Sequence, residues 1–231
     1  NWDVFFAGMG MKTPDTLVIE HLSFYKNLDN VISKYSINDW KEFMKWRLLR
    51  RASNYLDSKT EMESFEFYGK ALSGAKEMKP RWKRAQNEIN RNIGEILGKL
   101  YVESYFNQEA KDKVSKMVEN LIVAYRERIA SRTWMSEVTK KEANRKLDKL
   151  IKKFGFPDTW KDYSSMTIGT ASYWENVKNA TVYEHIRNIN KLGKPVDKME
   201  WGMTPPTVNA YYNPTTNEIA FPAGIMQITF F

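Results

Sequence analysis

The chain contains no cysteine. That removes disulfides, thiolate nucleophiles and cysteine-ligated zinc, but it does not reveal the compartment, because secreted bacterial proteins also do without cysteine. Histidine is nearly as scarce: His21 and His185 stand far apart, neither with a second histidine at metal-ligand spacing. Each reads as a capping or surface histidine. There is no glycine-rich phosphate loop and no Gly-x-Ser-x-Gly elbow, so this stretch of sequence carries no recognisable catalytic machinery. No apolar run approaches the roughly 20 residues that span a bilayer, and no transmembrane segment is expected in it. No basic and apolar leader opens the chain at Asn1. The expectation is either a removed targeting segment or a start inside something larger.

What is present is enough to fold. Of 231 residues, 42% are hydrophobic, and 8 Trp, 12 Tyr and 12 Phe give a core far beyond what a disordered chain could offer. The net charge of +8 favours acidic partners in principle, yet the cations are scattered. The densest run, Lys140 to Lys153, is interrupted by Glu142 and Asp148. Within it Leu147, Leu150, Ile151 and Phe154 keep helical spacing, so the cations read as a solvated helix face. In KEMKPRWKR only Trp82 could stack on a base, and it is expected to pack inward. No nucleic-acid partner is expected.

Helix signals dominate. Ser36 with Asp39 makes a capping box, followed by Trp40, Phe43 and Met44 on one face. Ile89, Ile93, Ile96, Leu97, Leu100 and Tyr101 keep helical spacing after Pro80, and Gly94 with Gly98 predicts close contact with a neighbouring helix. Asn107 is a candidate cap for a helix with a stripe of Val114, Met117, Val118, Leu121, Ile122, Tyr125 and Ile129. Thr139 and Glu142 suggest a further capping box, with Gly155 and Pro157 closing that helix; Tyr173 to Asn190 predicts one more.

After Trp201 the period changes from 3.6 to 2. Pro205 and Pro206 stop helix, Asn213-Pro214 starts a turn, and Glu218 to Phe221 returns as a strand. In the first strand Asn209 and Tyr211 share one face, Val208, Ala210 and Tyr212 the other. Asparagine is disfavoured inside strands. On an edge, its amide could meet the C=O and N–H of an extended peptide; equally, it could bond its own turn.

The stretch VNAYYNPTTNEIAFPAGI, with KPVDKMEW before it and GKLYVESYF, TWMSEVTKKEA and WKRAQNEINRNIGE upstream, resembles the neprilysin and endothelin-converting-enzyme family of zinc metallopeptidases. The resemblance spans nearly the whole chain. It implies a mainly α fold: a helical bundle domain, residues 1–201, followed by a β-hairpin, residues 202–231, that begins a thermolysin-like catalytic domain. It implies a secreted, periplasmic or cell-surface endopeptidase for small peptides, with zinc in the full-length parent and none bound by this segment. The family's His-Glu-x-x-His zinc motif is expected beyond Phe231.

By the same resemblance Asn209 would hydrogen-bond the substrate backbone and the Ala210 carbonyl would accept from a substrate N–H. Ile225 and Phe230 would line the apolar pocket for the side chain after the scissile bond. The family usually continues Pro-Pro-Phe-Phe where this chain has Ile228-Thr229-Phe230-Phe231. Implied partners are a peptide substrate, the C-terminal catalytic portion of the same protein and, through uncovered surfaces, a second copy of the fragment as a homodimer. The other function class left open is a non-catalytic helical module that binds peptides or anionic partners.

Overall fold

A computed structural model describes residues 1–227. Its elements run α1 (Trp2–Gly8), α2 (Leu22–Lys34), α3 (Ile37–Ala52), α4 (Ser58–Ser64), a π-helical stretch (Phe65–Leu72), α5 (Arg81–Tyr105), α6 (Gln108–Ala130), α7 (Glu137–Asp148), β1 (Ile151–Gly155), α8 (Tyr173–Ile189), β2 (Tyr211–Asn213), β3 (Glu218–Pro222) and a 3₁₀ turn (Ala223–Met226). The mainly α fold expected from the sequence is therefore observed. No helix among the described residues is long and apolar enough to cross a membrane.

The chain forms two compact units: residues 1–79 with 168–192, and residues 80–167 with 193–231. The first contains α1 to α4, the π-helical stretch and α8. Ser36 Oγ accepts the Asp39 N–H while an Asp39 oxygen accepts the Ser36 N–H, so the predicted capping box opens α3. Tyr55 lies against the rings of Tyr173 and Trp174, which ties α8 to the end of α3. His185 on α8 places Nε2 2.9 Å from the Met9 carbonyl, a structural contact. His21 is the residue before α2 and makes no side-chain cap.

The second unit carries the sheet. Asn107 caps α6 through the Ala110 N–H, as its sequence suggests. Val114 and Val118 are buried with Phe106, Phe154, Ala223 and Met226; Ile219, Phe221 and Ile225 pack on that cluster. Only one edge of the α6 stripe is used, because Met117, Leu121 and Tyr125 remain exposed.

Three expectations are corrected here. The helix predicted to run on to Phe154 ends at Asp148 and is capped by Ser136, whose Oγ accepts the Thr139 N–H. Ile151–Gly155 is instead a strand, parallel to β3, with Phe154 paired to Phe221. Its spacing suits a helix, but parallel pairing with β3 buries Lys153, Phe154 and Gly155 in a row, so both faces of this strand are covered. Gly94 and Gly98 do mark a close approach, but to coil rather than helix: a Cβ on Gly94 would stand 2.5 Å from Thr204 Cγ2, and one on Gly98 2.6 Å from Pro205 Cδ. Trp82 is 64% exposed rather than packed inward, with the Lys83 ammonium 5.3 Å from its ring centre.

Gly155 has φ +77°, and a Cβ there would stand 2.5 Å from a Phe106 ring carbon. Gly155→Ala combines a left-handed backbone with overpacking of the core. It is expected to cost about 1–3 kcal/mol, read as a lower urea midpoint with an unchanged slope.

Candidate functional site: an open sheet edge

The sheet order is β1-β3-β2, which among the described residues leaves β2 at a margin, paired on one side only. An edge strand presents its outward N–H and C=O groups to whatever extended chain arrives. The hairpin holding it is built locally. Asn213 Oδ1 accepts from the Thr215 N–H at 3.0 Å and its hydroxyl at 2.7 Å, and Asn217 closes the turn at φ +53°. The Asn217 amide donates to the Lys146 carbonyl at the end of α7, and its own carbonyl accepts the Ile151 N–H. One residue thus pins the turn to both α7 and β1.

Asn209 and Ala210 stand just ahead of β2 rather than inside it, which corrects the register predicted for the first strand. The reason is local: Asn209 Oδ1 accepts the Ala210 N–H at 2.8 Å, and that short bond replaces ladder pairing. Because a backbone N–H can only donate, this bond also fixes which end of the amide is oxygen. The Asn209 side chain is exposed, and its Nδ2 donates to no described residue. Ala210 is half-buried. Ile225 is half-buried in the 3₁₀ turn after β3, packed on the core cluster. Phe230 lies outside the described residues.

Beneath the edge lies a polar layer that sequence reasoning missed. On the sheet face opposite Phe154 and Phe221, Lys153 Nζ is 2.8 Å from Glu218 Oε2, with side chains 3% and 5% exposed. Lys153 also donates to the Glu200 carbonyl at 2.6 Å. The Tyr211 hydroxyl donates to Glu218 Oε1 at 3.0 Å and accepts the Gly202 N–H at 3.1 Å. Burial disfavours the Glu218 charge, yet the hydrogen bonds from Lys153 and Tyr211 and the Lys153 charge outweigh it, holding its pKa below the usual carboxylate range. Burial is also the main reason that the Tyr211 phenol is pushed up. The available signal was the hairpin register, which puts Tyr211 opposite Ala220 and so turns Tyr211 and Glu218 to the same face.

The segment that delivers Asn209 is held from above as well. The Gly224 N–H donates to the Pro205 carbonyl at 2.8 Å, the Thr207 N–H closes a turn onto the Thr204 carbonyl, and the Thr204 hydroxyl donates to Asn90 Oδ1 at 2.8 Å. The glycines of α5 and of the 3₁₀ turn give this segment its room. Among the described residues no group of three or more His, Asp or Glu side chains could hold a metal ion.

The arrangement of helices and sheet is that of the mainly helical segment of a metalloprotease. It matches Mycobacterium tuberculosis zinc metalloprotease Zmp1 in complex with an inhibitor, with a TM-score of 0.92 and 38% identity, over 100% of this chain and 35% of that one. The endothelin-converting enzyme homolog of Locusta migratoria is 30% identical over 100% of this chain and 34% of its own length. Neprilysin-3 of Drosophila melanogaster is 30% identical over 97% of this chain and 30% of its own length. The family model described as Peptidase family M13 matches residues 1–157, and the chain belongs to that family. It spans about a third of the length of these relatives.

Proposed function

We propose that the parent of this chain is a zinc-dependent metalloendopeptidase that cleaves small peptides, and that this segment supplies a cavity wall and the edge that grips substrate backbone. The observation that carries the reading is the Asn209 amide, exposed beside the open margin of β2 with its donor end free of described partners. The names of its relatives, which include neprilysin, endothelin-converting enzyme and zinc metalloprotease, support the peptidase class. Functionally, residues 1–201 would be the wall and residues 202–231 the start of a thermolysin-like catalytic domain, although the hairpin packs in one unit with α5 to α7. The remaining catalytic portion would be this segment's natural partner, and the work would be done in a secreted, periplasmic or cell-surface setting.

Zinc does not fit the residues in hand: His185 is turned to a backbone carbonyl, His21 stands alone ahead of α2 with no side-chain cap bond, and among the described residues neither belongs to a group of three or more metal-ligating side chains. The ligands would belong to other residues of the parent, and the role proposed for this chain is binding and orientation. With Oδ1 held by the Ala210 N–H, Asn209 would donate from Nδ2 to a substrate carbonyl, and the Ala210 carbonyl would accept a substrate N–H. Ile225 and Phe230 would line the pocket for the side chain after the scissile bond.

Asn209→Ala in the full-length protein removes a hydrogen bond to the substrate main chain. It is expected to lower kcat/KM on an internally quenched peptide by about tenfold or more, chiefly through KM. An unchanged kcat/KM contradicts the reading.

A further inference from the structure

We propose that Tyr211, held by Glu218 and Lys153, is a positioning residue that sets the Asn209–Ala210 edge for the peptide; this rests on the substrate-binding reading of that edge. Tyr211 follows Ala210 directly, and its phenol turns inward, away from the surface that a peptide would meet. There the hydroxyl joins the Glu218 carboxylate at 3.0 Å and the Gly202 N–H at 3.1 Å. Lys153 completes the set by bonding Glu218 and the Glu200 carbonyl. Four backbone segments, β1, β2, β3 and Glu200–Gly202, therefore meet at one buried carboxylate.

The mechanical consequence concerns the stretch between two anchors. Upstream, Pro205 is fixed by its carbonyl on the Gly224 N–H. Downstream, Tyr211 is fixed by its hydroxyl and by pairing with Ala220. Asn209 lies between them, held among the described residues by a bond to its own neighbour alone. Its distance from the sheet margin is thus set by the two ends, and of these only the phenol is a side chain that one atom can release. Losing that hydroxyl leaves the β2–β3 pairing in place but frees the Gly202 N–H and one Glu218 oxygen, so the edge loosens without unfolding the sheet.

The role differs from simple stabilisation in what it predicts. A loosened edge binds peptide less well while the reacting groups, which lie elsewhere in the parent, keep their rate once substrate is bound. The experiment uses the full-length protein and an internally quenched peptide with Leu after the scissile bond, in a cycle of Tyr211→Phe, Asn209→Ala and the double variant. Tyr211→Phe is expected to raise KM about fivefold to tenfold and to change kcat less than about twofold. In the double variant Asn209→Ala is expected to add clearly less than it does alone, since a displaced amide has little left to lose. The inference is overturned if Asn209→Ala raises KM while Tyr211→Phe leaves it unchanged, or if the two effects multiply fully. If Asn209→Ala itself leaves KM unchanged, the substrate reading of the edge fails, and the positioning role fails with it.

Discussion

Replacing Lys153 by methionine is expected to cost about 3–5 kcal/mol of folding stability, among the largest effects a single substitution can have in this chain. The Lys153 side chain is 3% exposed, and its ammonium bonds both Glu218 and the Glu200 carbonyl. Methionine fills similar volume, so packing loss is small; what remains is a carboxylate, 5% exposed, stripped of its counter-charge. The double variant Lys153→Met with Glu218→Leu should recover most of the loss, because two apolar side chains of similar size carry no charge to desolvate. Chemical denaturation of the three proteins checks this. Equal instability of single and double variants would mean that shape, rather than charge, makes the contact matter.

The same pair gives a pH dependence. Folding holds the Glu218 pKa below its ordinary value, so the unfolded chain takes up the proton first as pH falls. Its contribution is therefore full above the ordinary carboxylate range and is lost as pH falls through that range towards the folded value. In Glu218→Gln this acid-side loss should shrink relative to the parent protein. Acid titrations of both by circular dichroism would show it.

Gly224→Ala is the second large effect. A Cβ at this position would lie 2.6 Å from the Pro206 carbonyl oxygen, 2.7 Å from its carbon and 2.9 Å from the Thr207 carbonyl oxygen. All three are backbone atoms, so no flexible side chain can swing aside. Either the 3₁₀ turn or the Pro206–Thr207 stretch must shift, and the Gly224 N–H bond to Pro205 is lost with it. A cost of about 3 kcal/mol or more is expected, at the upper end for overpacking. Because this stretch leads into Asn209, substrate affinity should fall further than the stability loss alone explains. Folding at parental stability would show that the 3₁₀ turn can give way.

Helix starts were legible because their chemistry is local: Ser36 with Asp39 and Asn107 announce caps within one turn of chain. The hairpin was legible for the same reason, since Asn213 and Pro214 determine the turn that follows them. Strand β1 was not. Its lysine at position 153 looks like a solvent-facing cation until Glu218, brought alongside by the parallel pairing, neutralises it. Gly94 and Gly98 announced a close approach, but their partner, the Thr204–Pro205 coil, is a tertiary fact that spacing does not contain.

At the site, composition and spacing left Asn209 with two readings, a grip on an extended peptide and a bond within its own chain. The oxygen accepts from the next residue of its own chain, while the nitrogen of this exposed side chain donates to no described residue. Only the resemblance to neprilysin-like peptidases singled out Ala210 and Ile225 beside it. The polar layer of Lys153, Glu218 and Tyr211 escaped both routes, because it joins residues from three strands and becomes visible only once their register is known.

The most direct measurement is a structure of the full-length protein with a non-cleavable peptide analogue bound. The account predicts the analogue extended along the free margin of β2, with Asn209 Nδ2 within hydrogen-bond distance of one of its carbonyls. An analogue bound away from that margin, with the Asn209 amide untouched, would contradict it.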